Sequence, residues 1–206
     1  MPYFWSVITS TTTRIKMTTA YFSDKTFHRA ELDQHILSRA EFENCTFEQC
    51  DLSGADLSET SLIDCEFHHC NLSNAKLHKT MLQEVFFSEC KLLGCRFDQC
   101  ADFGLSFSFE DCQLDHACFY QLKIKKTRFK NCSLKEADLS EADITAALFD
   151  NCDLGGAIFE NTILEEADMS SSYNFAIDPE RNRLKKARFS LQSIPGLLEK
   201  YNLIIK

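Results

Sequence analysis

Between Asn44 and Leu77 the chain reads NCTFEQCDLSGADLSETSLIDCEFHHCNLSNAKL, with four cysteines and two adjacent histidines. Cys65, His68, His69 and Cys70 fall within six residues. Thiolates and imidazoles at close spacing are the donors of zinc and other soft cations, and paired thiols are the currency of disulfide exchange. Both chemistries need side chains that converge on one point, so the element that carries this stretch decides between them.

That element shows itself as a period of five. Every fifth residue from Phe22 to Phe97 is Leu or Phe, sixteen in succession, and from Phe109 to Met169 thirteen more are large and apolar. Two places before each stands, in most repeats, a small residue such as Ala40, Cys45, Ala55, Cys65, Cys70, Ala75, Cys132 or Ala142, and the other places are mostly polar. Five fits neither a helix of period 3.6 nor a strand of period 2. It fits a chain that turns a corner once per repeat and points one large and one small side chain inward from each short side. Four sides close a square, so one coil takes twenty residues. The spacing of Phe27, Phe47, Phe67 and Phe87, and of Phe109, Phe129 and Phe149, shows the same twenty. Coils stacked at the ~4.8 Å strand spacing pair their backbones and share a continuous core. The fold class expected is all-β: a four-sided β-helix, followed by a short C-terminal helix.

Ten of the eleven cysteines fall on the small inward position, Cys118 being the exception. Free Cys packs as a small hydrophobe, so Cys65 and Cys70 are expected to face the core from neighbouring sides. His68 and His69 then stand outside at a corner. No metal, cofactor or catalytic residue is expected. A solid core leaves no pocket, and no nucleophile sits beside a base. The odd cysteine count and the lack of an export signal point to reduced thiols in a cytoplasmic protein. No apolar run nears the ~18 residues that cross a membrane.

The 206 residues carry a net charge of −9, unevenly placed. Residues 17–180 hold 13 basic and 30 acidic side chains, and residues 181–206 hold seven basic ones and Glu199. From 136 to 180 there are twelve acids and no Lys or Arg, directly after a basic run of Lys123, Lys125, Lys126, Arg128, Lys130 and Lys135. Such a surface is repelled by nucleic acid. One reading is a solvated exterior that aids solubility. The other is mimicry: −17 over a rod of ~35 Å is about one charge per 2 Å, against one per ~1.7 Å in duplex DNA. The carboxylates placed on that surface are Asp138, Asp143, Asp153, Asp168 and Glu165.

The repeat defines the segments. Residues 1–19 lack it and read as a leader or disordered segment, with Met17 as a second candidate start. The β-helix is expected over 20–190, with a two-residue insertion forming a bulge at 101–107 around Gly104 and a loop at 171–182 ending the strict pattern. Residues 191–206 read as a helix capped by Ser193. Its apolar face of Ile194, Leu197, Leu198 and Tyr201 would close the core and join two copies as a homodimer.

The five-residue units GADLS, NAKLH, EADLS, EADIT and GAIFE resemble the A(D/N)LXX motif of pentapeptide-repeat proteins. The acidic body and the segment PGLLEKY look like the Qnr-type quinolone-resistance members, although their two long projecting loops are missing. The resemblance implies a right-handed quadrilateral β-helix (a pentapeptide-repeat solenoid), and with it a dimeric, non-enzymatic, DNA-like rod that binds type II topoisomerases, DNA gyrase or topoisomerase IV, and protects them from fluoroquinolones. A scaffold for a different cytoplasmic partner is the alternative.

Overall fold

The computed structural model describes residues 20–29 and 37–204. The leader at 1–19 and the alternative start at Met17 lie outside these residues. Eleven short strands are β1 (Tyr21–Ser23), β2 (Thr26–His28), β3 (Glu41–Glu43), β4 (Thr46–Glu48), β5 (Ser61–Ile63), β6 (Glu66–His68), β7 (Met81–Gln83), β8 (Val85–Ser88), β9 (Phe107–Glu110), β10 (Arg128–Lys130) and β11 (Leu148–Asp150). All their pairings are parallel and bring together residues one coil apart, such as Phe47 with Phe67 and Phe129 with Phe149. They form two sheets, β1-β3-β5-β7 on the first side and β2-β4-β6-β8-β9-β10-β11 on the second. The third side is a column of single bridges from Asp51 through Asn71, Lys91, Gln113, Ser133 and Asp153 to Tyr173. The fourth contains the column Arg96, Cys118, Asp138 and Ile158. The molecule is thus a four-sided parallel β-solenoid.

The inward residues build the core as expected. Phe27, Phe47, Phe67, Phe87, Phe109, Phe129 and Phe149 stack with ring centroids 4.4–5.3 Å apart. Offset stacking of this kind adds to the area each ring buries. The corner residues outside the core adopt the left-handed conformation, with φ between 49° and 65° at Asn44, Asp64, His69, Glu84 and their equivalents. Asn and Asp are the non-glycine residues that tolerate it best.

Small positions that carry a donor use it. Thr60 Oγ1 donates to the Leu37 carbonyl at 2.7 Å and Thr80 Oγ1 to that of Leu57 at 2.7 Å, each from the coil above. Ser172 and Asn182 reach Phe149 and Phe159 in the same way at 2.8 and 2.9 Å. The cysteines imitate them more weakly: Cys70 and Cys90 donate to the carbonyls of Phe47 and Phe67, both at 3.3 Å. Six thiols, Cys50, Cys70, Cys90, Cys112, Cys132 and Cys152, stand in one column on successive coils. All eleven cysteines are buried.

The insertion falls between Ala101 and Ser106, where the step from coil to coil grows from twenty residues to twenty-two, as in Phe87 with Phe109. Gly104 stands exposed at a corner at φ 69°, and a Cβ there would lie 2.3 Å from Gln83 Nε2. Partly buried Leu105 packs on the core beside it, and next along the chain comes buried Phe107. It occupies a position that holds Cys45 and Cys65 in earlier coils, and its ring packs 5.3 Å from Phe97 and 5.2 Å from Phe109.

Two expectations need correction. The segment 171–182 is not simply a loop: Ser172, Ile177 and Asn182 keep the small inward position, and Tyr173 and Arg183 still bridge to Asp153 and Ile163. Only the large position slips, with Phe175 buried in place of exposed Asn174. The C-terminal segment forms two 3-10 turns, Ile194–Leu197 and Glu199–Tyr201, rather than an α-helix. Ser193 does not cap it; its hydroxyl donates to the Ser190 carbonyl at 3.1 Å. Gly196 presses so closely on the Phe175 carbonyl that a Cβ would lie 2.2 Å from it.

Candidate interaction surfaces

The opening cluster does not assemble a site. Cys65 and Cys70 are buried, whereas His68 pairs with Glu66 at 2.8 Å and His69 with Glu89 at 3.2 Å, both on the exterior. Burial pushes the Cys65 thiol up to about 11 and that of Cys95 to about 12, away from the thiolate form that binds metal. Among the described residues no group of three or more His, Cys, Asp or Glu could hold a metal ion. Cys118, the outward cysteine, sits beside the bidentate pair of Arg96 with Asp98, whose bonds are 2.8 and 2.6 Å.

The five carboxylates chosen from the acid-rich run are not one surface. Asp143 lies on the first side, Asp168 on the second, Asp153 on the third and Asp138 on the fourth, because their spacing follows the repeat round the square. Glu165 shares the first side with Asp143. Four of the five meet a cation from a neighbouring coil: Lys125 reaches Asp143 at 3.0 Å, Lys135 Asp153 at 3.3 Å, Arg188 Asp168 at 3.3 Å and Arg183 Glu165 at 2.7 Å. The fifth, Asp138, accepts the backbone N–H of Ser140 at 2.9 Å.

Their titration reflects these partners. Burial works against ionisation of Asp143, but the Thr145 hydroxyl and Lys125 hold its carboxyl below the usual range. Asp153 is likewise opposed by burial and held low by Asn174, the Gly155 N–H and Lys135. The Ser170 hydroxyl and then Arg188 depress Asp168. Lys125 and Lys135 of the basic run and Arg183 and Arg188 of the basic tail, separated from the acids along the chain, therefore lie one coil away from four of them and pair with them.

The carboxylates without such partners lie elsewhere. On the first side, over the first four coils, Asp24, Glu41, Glu43, Asp64 and Glu84 have no ion pair with Lys or Arg among the described residues. Asp24 accepts from Asn44 Nδ2 at 2.6 Å, and Glu43 from the Tyr21 hydroxyl at 2.7 Å. This patch escapes a reading along the chain. It is found by writing the sequence in rows of twenty and comparing the sign of charge down each column.

The C-terminal end presents the second surface. Of the four residues assigned to a dimer contact, Leu197 is partly buried against the core, Leu198 is half-buried, and Ile194 and Tyr201 are more open. Leu191 and Ile204, at 88% and 89%, are far more exposed, and Leu203 stands with them. Lys200 locks the segment by reaching Asp178 and Glu180, each at 2.7 Å.

A stacked square coil with a filled core, a thiol column and a charged exterior defines a solenoid of the kind built from five-residue repeats. The pentapeptide repeat region family model matches residues 40–101 and 105–173, interrupted where the bulge lies, and the chain belongs to that family. Among solved structures, full-length QnrB1, a plasmid-mediated fluoroquinolone resistance protein, is 18% identical over 89% of this chain and 100% of its own, with a TM-score of 0.48. HetL, a pentapeptide repeat protein involved in heterocyst differentiation regulation from the cyanobacterium Nostoc, is 19% identical over 82% and 83%, with a TM-score of 0.47. A pentapeptide repeat protein of the Arabidopsis thaliana thylakoid lumen is 21% identical over 72% and 74%, with a TM-score of 0.27. No curated protein matches the chain in sequence. Among the described residues no helix is long and apolar enough to cross a membrane.

Proposed function

We propose that the chain is a non-enzymatic cytoplasmic interaction rod whose acidic first side docks on a DNA-binding protein in the place of DNA. The observation that carries this is the uncompensated set Asp24, Glu41, Glu43, Asp64 and Glu84. Five carboxylates over three coil steps of ~4.8 Å give about one charge per 3 Å, close to the ~3.4 Å phosphate spacing along one DNA strand. Such a face is steered quickly to a cation-lined groove, and its binding weakens with salt. Type II topoisomerases, DNA gyrase first and topoisomerase IV second, are the partners to test. That choice rests on the resemblance of the repeats and of PGLLEKY to Qnr-type proteins. The assay is DNA supercoiling with and without a fluoroquinolone. Micromolar protein is expected to inhibit the reaction or to relieve the drug, and Glu41→Lys with Glu43→Lys and Asp64→Lys to weaken the effect at least tenfold. No effect on either reaction rules the reading out.

The neutralised C-terminal half favours a second reading. Salt-bridged carboxylates at Asp143, Asp153, Glu165 and Asp168 leave little net field there. A scaffold that binds a protein unrelated to DNA fits that half better. Recovery of one specific partner other than a topoisomerase, retained by the charge-reversed variant, would support it.

A further inference from the structure

The first side is ordered along the rod in three bands. Its second coil presents Glu41 and Glu43 outward. The third and fourth coils present half-buried Ile63 and Met81 beside the corner carboxylates Asp64 and Glu84, and the fifth presents Phe103, 79% exposed, with Asp102 and partly buried Leu105. The sixth presents Lys123, Lys125 and Lys126. Lys123 and Lys126 have no ion pair among the described residues, while Lys125 shares Asp143. The bulge places its apolar residues between the charged bands: Gln83 Nε2 donates to the Phe103 carbonyl at 3.5 Å, and the Glu84 N–H to Ser106 Oγ at 2.8 Å. Leu105 lines one cleft with Gln121 and Lys123 and another with Glu84, Lys125 and Lys126.

Acid, apolar and basic bands in that order are self-complementary when the rod is reversed. We propose that a second copy of this chain docks on the first side, antiparallel, about a two-fold axis at the coil of Met81. A two-fold axis in the interface plane reverses the rod but keeps each outward column opposite itself. Glu41 then faces the partner's Lys123 and Glu43 the partner's Lys125. Ile63 packs on the partner's Leu105, and Met81 on its own equivalent. The arrangement has an apolar centre with complementary charge at both ends, the usual anatomy of a protein interface. Three carboxylates oppose it: Glu84 meets the partner's Glu84 at the axis, and Asp64 and Asp102 enter the central band with no cation opposite. The contact runs over four coil steps, ~19 Å, and is one side wide, so it falls in the small, weak class of interface. Glu41 and Glu43 also belong to the surface proposed for a DNA-binding partner, and self-pairing would cover them until that partner competes.

The test is the mass of the protein alone, by light scattering at about 100 µM, a concentration suited to interfaces of this size. One variant carries Glu41→Lys and Glu43→Lys, so both its bands are basic; another carries Lys123→Glu and Lys126→Glu, so both are acidic. Each alone is expected to lose the side-by-side pair. An equimolar mixture is expected to regain it, raising the average mass towards twice that of either variant, and to lose it again in ~0.5 M salt. The gain on mixing also shows that both variants fold. Glu84→Gln is expected to tighten the wild-type pair several-fold. A mixture no heavier than its components, or a Glu84→Gln protein that pairs no better than wild type, overturns the proposal. Neither result depends on whether a topoisomerase is the partner.

Discussion

Single residues in this fold work through the coil below them. Thr60 is fully buried, and its hydroxyl satisfies a carbonyl twenty-three positions earlier. Thr60→Val keeps the shape and removes the bond, leaving that carbonyl without its side-chain donor, at a cost of about 1–2 kcal/mol. Phe67 lies mid-column, its ring 4.4 Å from Phe47 and 5.1 Å from Phe87. Phe67→Ala opens a cavity between two rings and costs roughly 3–5 kcal/mol. Urea denaturation of the two variants beside wild type gives the comparison, and a Thr60→Val loss equal to that of Phe67→Ala would mean that the donor, not the ring, dominates the coil. The cysteines belong to the same scale. They share the position with Thr60 and Ser172, as small inward donors, and the Cys and His cluster that suggests a metal is packing on one side of the wall and water on the other.

At the scale of the element, each side of the coil is a short strand or turn whose exterior is held by charges from its neighbours. Asp143, 3.0 Å from Lys125, is a test of that arrangement. Its folded pKa lies below the ordinary 3.8. The unfolded chain therefore binds this proton more readily, and the stabilisation is present above about 3.8 and lost as the pH falls through the folded value. Asp143→Asn is expected to cost about 0.5–1 kcal/mol at neutral pH and to flatten the acid limb of a stability profile below pH 4. Thermal melts between pH 2.5 and 7 check it; an unchanged acid limb would show that Lys125 contributes nothing. The coil itself was legible in the sequence because a five-residue period leaves no other element to choose. The pairing of charges was not, because a count along the chain puts Arg183 and Arg188 in a tail, whereas the twenty-residue register puts them against Glu165 and Asp168. The end was misread for a local reason: Ile194, Leu197, Leu198 and Tyr201 have helical spacing, but Pro195 and Gly196 lie between them, and Gly196 must touch Phe175.

At the scale of the whole molecule, the two proposed contacts between copies are separable by experiment. The exposed end with Leu191, Ile194, Tyr201, Leu203 and Ile204 is an apolar surface. A pairing of this end with a second copy would be hydrophobic and therefore insensitive to salt, unlike the proposed side-by-side contact. Ile194→Asp with Leu203→Asp is expected to halve the mass of an end-to-end dimer while leaving the coil intact. These positions test the contact better than Leu197, which the core also needs. Light scattering in 0.5 M salt isolates this route, and an unchanged mass there removes the end-to-end dimer.

The step of twenty residues has a consequence for how the chain reaches its shape. In a 206-residue protein, contacts made mostly with the next coil correspond to a relative contact order of about 0.1, the range of helical bundles rather than of β-sandwiches. Among the described residues there is no distant strand to find and no barrel to close. Once one pair of coils has formed, each further coil adds onto a template that already exists, in either direction. The described solenoid can thus fold by local zipping, with the two-residue bulge at Gly104 as the one place among its described residues where the zipper changes its count.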